Sequence, residues 1–195
     1  MENPKPLVSR ETFARYAELL TGAGVERGLI GPKEGERIWE RHIFNCLPVA
    51  TLIPHGAKTL DIGSGAGLPG IVLALARPDI SLTLLEPLER RTTFLEEVVA
   101  QLGLSNVTVV RLKASDFKGK FEVITARAVA PMDRLLQWSW HLLAPGGRIL
   151  AIKGERAAEE LASTPLSRYQ GARGEILNPA LPTGSCRVIS IEKAG

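Results

Sequence analysis

Two acids, Asp61 and Glu86, and four glycines at 63, 65, 67 and 70 are the residues of this chain best placed to do chemistry. They lie in DIGSGAGLPG (61–70) and LLEPLERR (84–91). A glycine turn between a strand and a helix lets the backbone approach a ligand with no side chain in the way. From Gly65 the stretch GAGLPG matches G-x-G-x-x-G, the dinucleotide fingerprint. Asp61 argues against a dinucleotide. Its carboxylate would stand near a bound pyrophosphate, and two like charges about 4 Å apart repel by roughly 1–4 kcal/mol near a surface. The match also starts late for the turn that leaves the strand. A ligand with a cationic ammonium and no phosphate suits Asp61 better.

S-adenosylmethionine is such a ligand, with an ammonium, a sulfonium, a ribose and an adenine. Asp61, Gly63, Ser64, Gly65 and Gly67 are its candidate cradle. Glu86 ends the next strand, where a carboxylate can accept from both ribose hydroxyls. NAD binders use the same contact, so Glu86 supports adenosine without choosing the cofactor. A turn-capping role for Asp61 and a surface strand end for Glu86 are the structural alternatives. Farther on, KASDF (113–117) borders the adenine by its order along the chain, through Ala114, Ser115 and Asp116, or else is a plain polar turn.

These residues need a frame. From residue 56 onward, short strands alternate with helices: strands at 58–62, 81–86, 106–112, 121–127, 148–154 and 185–194, and helices at 68–76, 90–104 and 132–143. RAAEELAST adds a short helix. That alternation predicts an α/β fold, a mostly parallel sheet with helices on both faces. Residues 1–55 read as an N-terminal helical extension of the same single domain, with residues 56–195 as the cofactor-binding core. One helix carries Phe13, Tyr16, Leu19 and Leu20; a second starts near Pro32 and runs to residue 53, with Pro48 as a kink.

The composition sets limits. With 45% hydrophobic and 23% charged residues, the chain has a soluble protein's balance and no run able to span a membrane. MENPKPLVSRE has no apolar signal core, and Cys46 and Cys186 are isolated, so a cytoplasmic protein with no metal site is expected. The formal net charge of +3 does not by itself identify a nucleic-acid binder. Arg90, Arg91, Arg111, Lys113, Lys118, Lys120, Arg127, Arg134 and Lys153 all follow the glycine loop, and would attract phosphate if the fold gathers them. Trp138 and Trp140, two apart on a helix, cannot share a face; core or interface packing is the expectation for both.

DIGSGAGLPG, LLEPLERR, TARAVAP and LLAPGGRILAIKG together resemble the bacterial small-subunit rRNA guanine-N7 methyltransferases, the RsmG family, also called glucose-inhibited division protein B. ERHIFN resembles that family's Arg-His-x-x-Asp-Ser segment. The likeness covers roughly residues 13–155. It implies a Rossmann-like S-adenosylmethionine-dependent methyltransferase fold. It also implies cofactor contacts at Gly63, Leu68, Glu86, Pro87, Leu88, Ala114, Ser115 and Arg127, and a guanine of 16S rRNA as substrate, in the small ribosomal subunit or its assembly precursor. The chain departs from the family at Gly28, Leu29 and Ile30, and at Asn45-Cys46.

Guanine N7 carries a lone pair and no proton, so in-line transfer to it needs no general base. Arg127, at the end of the fourth strand, is the catalytic candidate, gripping guanine O6 or a flanking phosphate. Arg41, His42 and Lys153 are the other RNA candidates, with a structural role the alternative for His42. A monomer is expected. The rival readings are a methyltransferase for a small molecule or protein, a non-enzymatic RNA-binding module, and an NAD-dependent reductase.

Overall fold

A computed structural model describes residues 9–195; MENPKPLV lies outside the described residues. Five parallel strands form most of a seven-stranded sheet: β1 (Lys58–Ile62), β2 (Ser81–Leu85), β3 (Val107–Val110), β4 (Phe121–Arg127) and β5 (Leu143–Lys153). Two more, β6 (Ala172–Leu177) and β7 (Arg187–Lys193), complete it with antiparallel pairings. The order is β3-β2-β1-β4-β5-β7-β6. Chain order reverses between β1 and β4, and the crevice at the carboxyl ends of those strands is where open α/β sheets bind ligands.

The helices cover both faces. α2 (Gly70–Ala76) and α3 (Glu89–Leu102) pack with the N-terminal segment over one face, in a core that includes Ile71, Leu84 and Phe94. α4 (Met132–Ser139) and α5 (Ala157–Ser163) lie over the other, with Leu60, Ile124 and Ile149 inside. β1 and β4 read as nearly continuous buried runs, as strands covered on both sides must. α1 (Arg10–Leu19) begins on Ser9, whose side chain accepts from the Thr12 amide. Its Phe13 and Tyr16 are fully buried, each burial stabilising by roughly 1.5–3 kcal/mol. The Tyr16 hydroxyl donates to the Ala66 carbonyl at 2.8 Å, which pins the glycine loop to the N-terminal layer.

Three expectations need correction. The helix expected from Pro32 to residue 53 is helical without being one α-helix: it passes through 3₁₀ turns (Pro32–Arg37), a π-helix (Ile38–Ile43), one α turn (Phe44–Cys46) and a second 3₁₀ stretch (Leu47–Leu52). Ile38 and Ile43 are both buried although five residues apart, a spacing that a π turn brings to one face. β5 starts five residues early, at Leu143. Its pairing with β4 jumps from Phe121↔Leu143 to Val123↔Arg148, so Ala144–Gly147 forms a bulge inside the strand rather than a stop before it. The edge strand β6 is the third, absent from the sequence reading; it is mostly exposed and has no clear apolar alternation.

Gly28, one of the departures, has φ +64° and ends a helical turn closed by the Gly28 amide on the Val25 carbonyl and the Leu29 amide on Gly24. Among the described residues no helix is long and apolar enough to cross a membrane.

Candidate active site

The glycine loop leaves β1 at Gly63, whose amide donates to the Leu85 carbonyl at 2.8 Å. At φ +65° a side chain there would be strained, and a Cβ would also stand 2.8 Å from Val129. Glu86 sits just past β2 and is 1% exposed. Its Oε2 accepts from the Gly65 amide at 3.0 Å and its Oε1 from the Leu88 amide at 3.1 Å, while Arg91 approaches Oε2 at 3.5 Å. One carboxylate thus holds the loop after β1 and the loop after β2 at a fixed separation.

Between them opens a cleft of about 610 Å³. Gly63, Glu86, Pro87, Leu88, Ala114 and Ser115 line it, six of the residues expected at the cofactor. Ile62, Leu85, Arg91, Leu112, Lys113, Ala128, Val129 and Trp138 line it as well. Among the described residues, Leu88 and Leu112 are the large apolar side chains left exposed, at its rim. The cleft fits an adenosine-type cofactor: it is mostly apolar, it is the size of a small-molecule pocket, and each Glu86 oxygen keeps a lone pair beyond its backbone bond. Trp138 faces this cleft while Trp140 packs on Tyr169, so the two tryptophans do take different faces.

The other seven residues expected at the cofactor, Asp61, Ser64, Gly65, Gly67, Leu68, Asp116 and Arg127, do not line the cleft. Asp61 is fully buried, with Oδ1 accepting from the Thr125 hydroxyl at 2.9 Å and Oδ2 from the Gly70 amide at 3.2 Å. Burial raises its carboxyl to about 7, against those hydrogen bonds. The carboxylate therefore braces β1 against β4 and the start of α2. The Ser64 hydroxyl donates to the Asp61 carbonyl, Gly65 donates to Glu86, and Gly67 and Leu68 are buried in the loop's base.

Arg127 opens onto a different cleft, of about 660 Å³, together with Arg41, His42 and Lys153. All four RNA candidates are thus brought together. Asn45, one of the departures from the family pattern, joins them, as do Glu34, Arg37 and Glu40, three residues that the sequence reading passed over. Arg127 Nη1 donates to the Arg41 carbonyl at 3.1 Å and to Cys46 Sγ at 3.5 Å, and Nη2 donates to His42 Nδ1 at 2.6 Å. His42 Nε2 meets Glu34 Oε2 at 2.7 Å. Burial lowers the His42 pKa below the ordinary histidine value, with Glu34 pulling the other way. Lys153 donates to the Ala130 carbonyl at 2.8 Å and pairs with Glu160 at 2.6 Å.

Ala128 lines both clefts, at φ +53°, a conformation uncommon for a residue with a side chain and frequent at functional sites. The nine basic residues that the sequence reading named do not form one rim. Arg91 and Lys113 border the first cleft and Arg127 and Lys153 the second, whereas Arg111 pairs with Glu89 and Lys120 donates to the His141 carbonyl. Among the described residues no group of three or more His, Cys, Asp or Glu could hold a metal.

Comparison with known proteins shows the fold and the family. Solved methyltransferases share the fold: a putative S-adenosyl-L-methionine-dependent methyltransferase from Methanococcus maripaludis superposes with TM-score 0.59 at 16% identity, covering 98% of both chains. An S-adenosylmethionine-dependent O-methyltransferase from Thermotoga maritima gives TM-score 0.60 at 19% identity, over 75% of this chain and 63% of the other. Sequence relatives are nearer. The ribosomal RNA small subunit methyltransferase G of Nocardioides sp. is 50% identical over 95% of this chain and 79% of its own length. That of Thermobifida fusca is 58% identical over 82% of this chain and 67% of its own length. The family model described as rRNA small subunit methyltransferase G matches residues 9–170. The chain belongs to the rRNA small subunit methyltransferase G, or GidB, family.

Proposed function

We propose that this protein methylates N7 of one guanine in 16S rRNA. One observation carries the reading: two clefts meet at Ala128, one with the carboxylate and apolar walls an adenosine-type cofactor needs, the other with an arginine fork. The curated relatives' name, small-subunit rRNA methyltransferase, supports the substrate class. When bound, S-adenosylmethionine supplies a methyl group carried on a positively charged sulfur.

Guanine N7 brings a lone pair and no proton, so no side chain has to remove one. That suits a cleft whose histidine already commits its acceptor nitrogen to Arg127. N7 must stay bare to react, so the Arg127 donors go to guanine O6 or to a flanking phosphate. Arg41 and Lys153 add positive charge for the RNA backbone. Arg127 then acts by placement, an entropic effect that reaches about 7–11 kcal/mol in well-oriented reactions. The second cleft suits a single nucleotide swung out of its stack. The relatives' name favours the small ribosomal subunit or its assembly precursor as substrate, and the same reading takes the enzyme as cytoplasmic and monomeric.

Mass mapping of rRNA from cells lacking the protein tests this. We expect one guanine to lack a methyl group, and the purified enzyme to restore it. Arg127→Ala should restore it about 100-fold more slowly while binding the cofactor within about threefold of wild type. Complete methylation in the deletion strain, or wild-type turnover by the Arg127 variant, would sink the proposal.

A further inference from the structure

We propose that His42 is a positioning residue for the methyl-accepting base: its neutral ring holds the Arg127 guanidinium in a single orientation at the second cleft. This rests on the reading of Arg127 as the group that touches substrate. A guanidinium only donates, so the 2.6 Å contact from Nη2 requires a lone pair on His42 Nδ1. The ring proton is therefore on Nε2, where it is donated to Glu34 Oε2 at 2.7 Å. The other Glu34 oxygen accepts from Arg41 Nη1 at 3.1 Å, and the Arg41 carbonyl accepts from Arg127 at 3.1 Å. Glu34, His42, Arg127 and Arg41 form a closed ring of hydrogen bonds.

The pairing of His42 with a carboxylate looks like a general base, but the nitrogen that would take a proton is occupied by arginine. The ring instead fixes the arginine. Two Nη1 donors and one Nη2 donor are committed, and the Nε–H and second Nη2–H have no hydrogen-bond partner among the described residues. Those two are the donors left for O6 or phosphate. The π turn contributes directly: it carries Arg41 and His42 consecutively and presents a carbonyl from one and a ring nitrogen from the other to the same guanidinium.

The groups facing His42 decide how the hold depends on pH. Arg127 comes from β4, Glu34 from the 3₁₀ turn, and Arg41 from the π turn itself, with Arg37, Glu40 and Lys153 around the same cleft. The His42 side chain is 13% exposed. A proton added at Nδ1 would set donor against donor and cation against cation, releasing the guanidinium. Burial already disfavours that proton, so release belongs on the acid side of the ordinary histidine range.

The test is single-turnover methyl transfer to small subunits from the deletion strain, followed from about pH 5 to pH 8. Wild type should lose rate as pH falls through the His42 titration. His42→Ala should be about 30-fold slower at neutral pH, with cofactor affinity within about twofold, because His42 lies outside the cofactor cleft. His42→Asn offers Oδ1 where Nδ1 stood and cannot titrate; it should recover most of that loss and lose the His42 part of the acid limb, leaving only what the Asp61 carboxyl, raised by burial to about 7, contributes. Nitrogen NMR of the wild-type ring needs no variant, and should report an unprotonated Nδ1 at neutral pH. A protonated Nδ1, an acid limb in the asparagine variant identical to that of wild type, or wild-type rate in the alanine variant beside an inactive Arg127→Ala would each overturn the inference alone. Wild-type rate in Arg127→Ala would instead overturn the functional reading beneath it.

Discussion

The two clefts that share Ala128 are built in opposite ways. The cofactor cleft is a backbone structure: the amides of Gly65 and Leu88 converge on one buried carboxylate, and Gly63 takes a left-handed turn that leaves no room for a side chain. Those hydrogen-bonded parts lie within two strand–loop–helix units that are consecutive in sequence, while the loops after β3 and β4 and Trp138 close the remaining walls. The second cleft is a side-chain structure. Arg127 is held from His42 and Arg41, 85 and 86 residues away, by a ring of long polar groups that are part-buried or exposed. Backbone cradles tolerate little change in volume and side-chain rings little change in donor chemistry, and that difference can be measured.

The largest effect should come from one methyl group under the cofactor loop. A Cβ on Gly70 would collide with Leu84 and stand 2.7 Å from Asp61 Oδ2. Gly70→Ala should therefore cost about 3 kcal/mol in urea unfolding, because the Leu84 and Asp61 side chains it meets are both fully buried and have little room to move aside. Gly154 lines the other cleft, and a Cβ there would meet nothing within 4 Å. Gly154→Ala should change stability by less than about 0.5 kcal/mol. Equal costs at both positions would erase the contrast.

Glu86 probes chemistry where Gly70 probes volume. Glu86→Gln keeps the shape but turns an NH₂ toward one of the two amides that the carboxylate now satisfies. A buried donor left facing a donor costs about 1–3 kcal/mol. It should appear as roughly 10- to 100-fold weaker cofactor binding in calorimetry, since that side chain separates the cleft's two walls. Unaltered affinity would mean that the loops keep their spacing without Glu86.

The same contrast explains what was legible in the sequence. The bounds of β1 and β4 match the sequence reading, because continuous apolar runs and turn residues are local signals. Gly63, Glu86 and Ala114, at or just past strand ends, line one cleft, the one proposed for the cofactor, for a similarly local reason. The face to which Asp61 points was not legible: its type and place at a strand end allow either a ligand or the interior, and only the packing of Thr125 and Gly70 around it decides. Glu34 gave no signal at all. It is an ordinary acid in a charged stretch until the π turn places His42 beside it. Helical periodicity assumes 3.6 residues per turn and could not foresee that turn.

Arg91 should give the smallest effect, and it separates contact from contribution. It lines the cofactor cleft and reaches Glu86 Oε2 at 3.5 Å, so proximity alone would nominate it as a binding residue. Its side chain is 40% exposed, however, and water competes for the guanidinium. Half-exposed ion pairs of this kind stabilise by about 0–1 kcal/mol. The Gly65 and Leu88 amides already satisfy the Glu86 carboxylate from inside, so losing Arg91 leaves no buried group unpaired. Arg91→Ala should therefore weaken cofactor binding by no more than about fivefold, an effect that shrinks further in about 1 M salt, where the screening length is near 3 Å. A loss as large as that from Glu86→Gln, persisting in high salt, would show that the cofactor cleft also depends on a side-chain network, and the opposition between the two clefts would not hold.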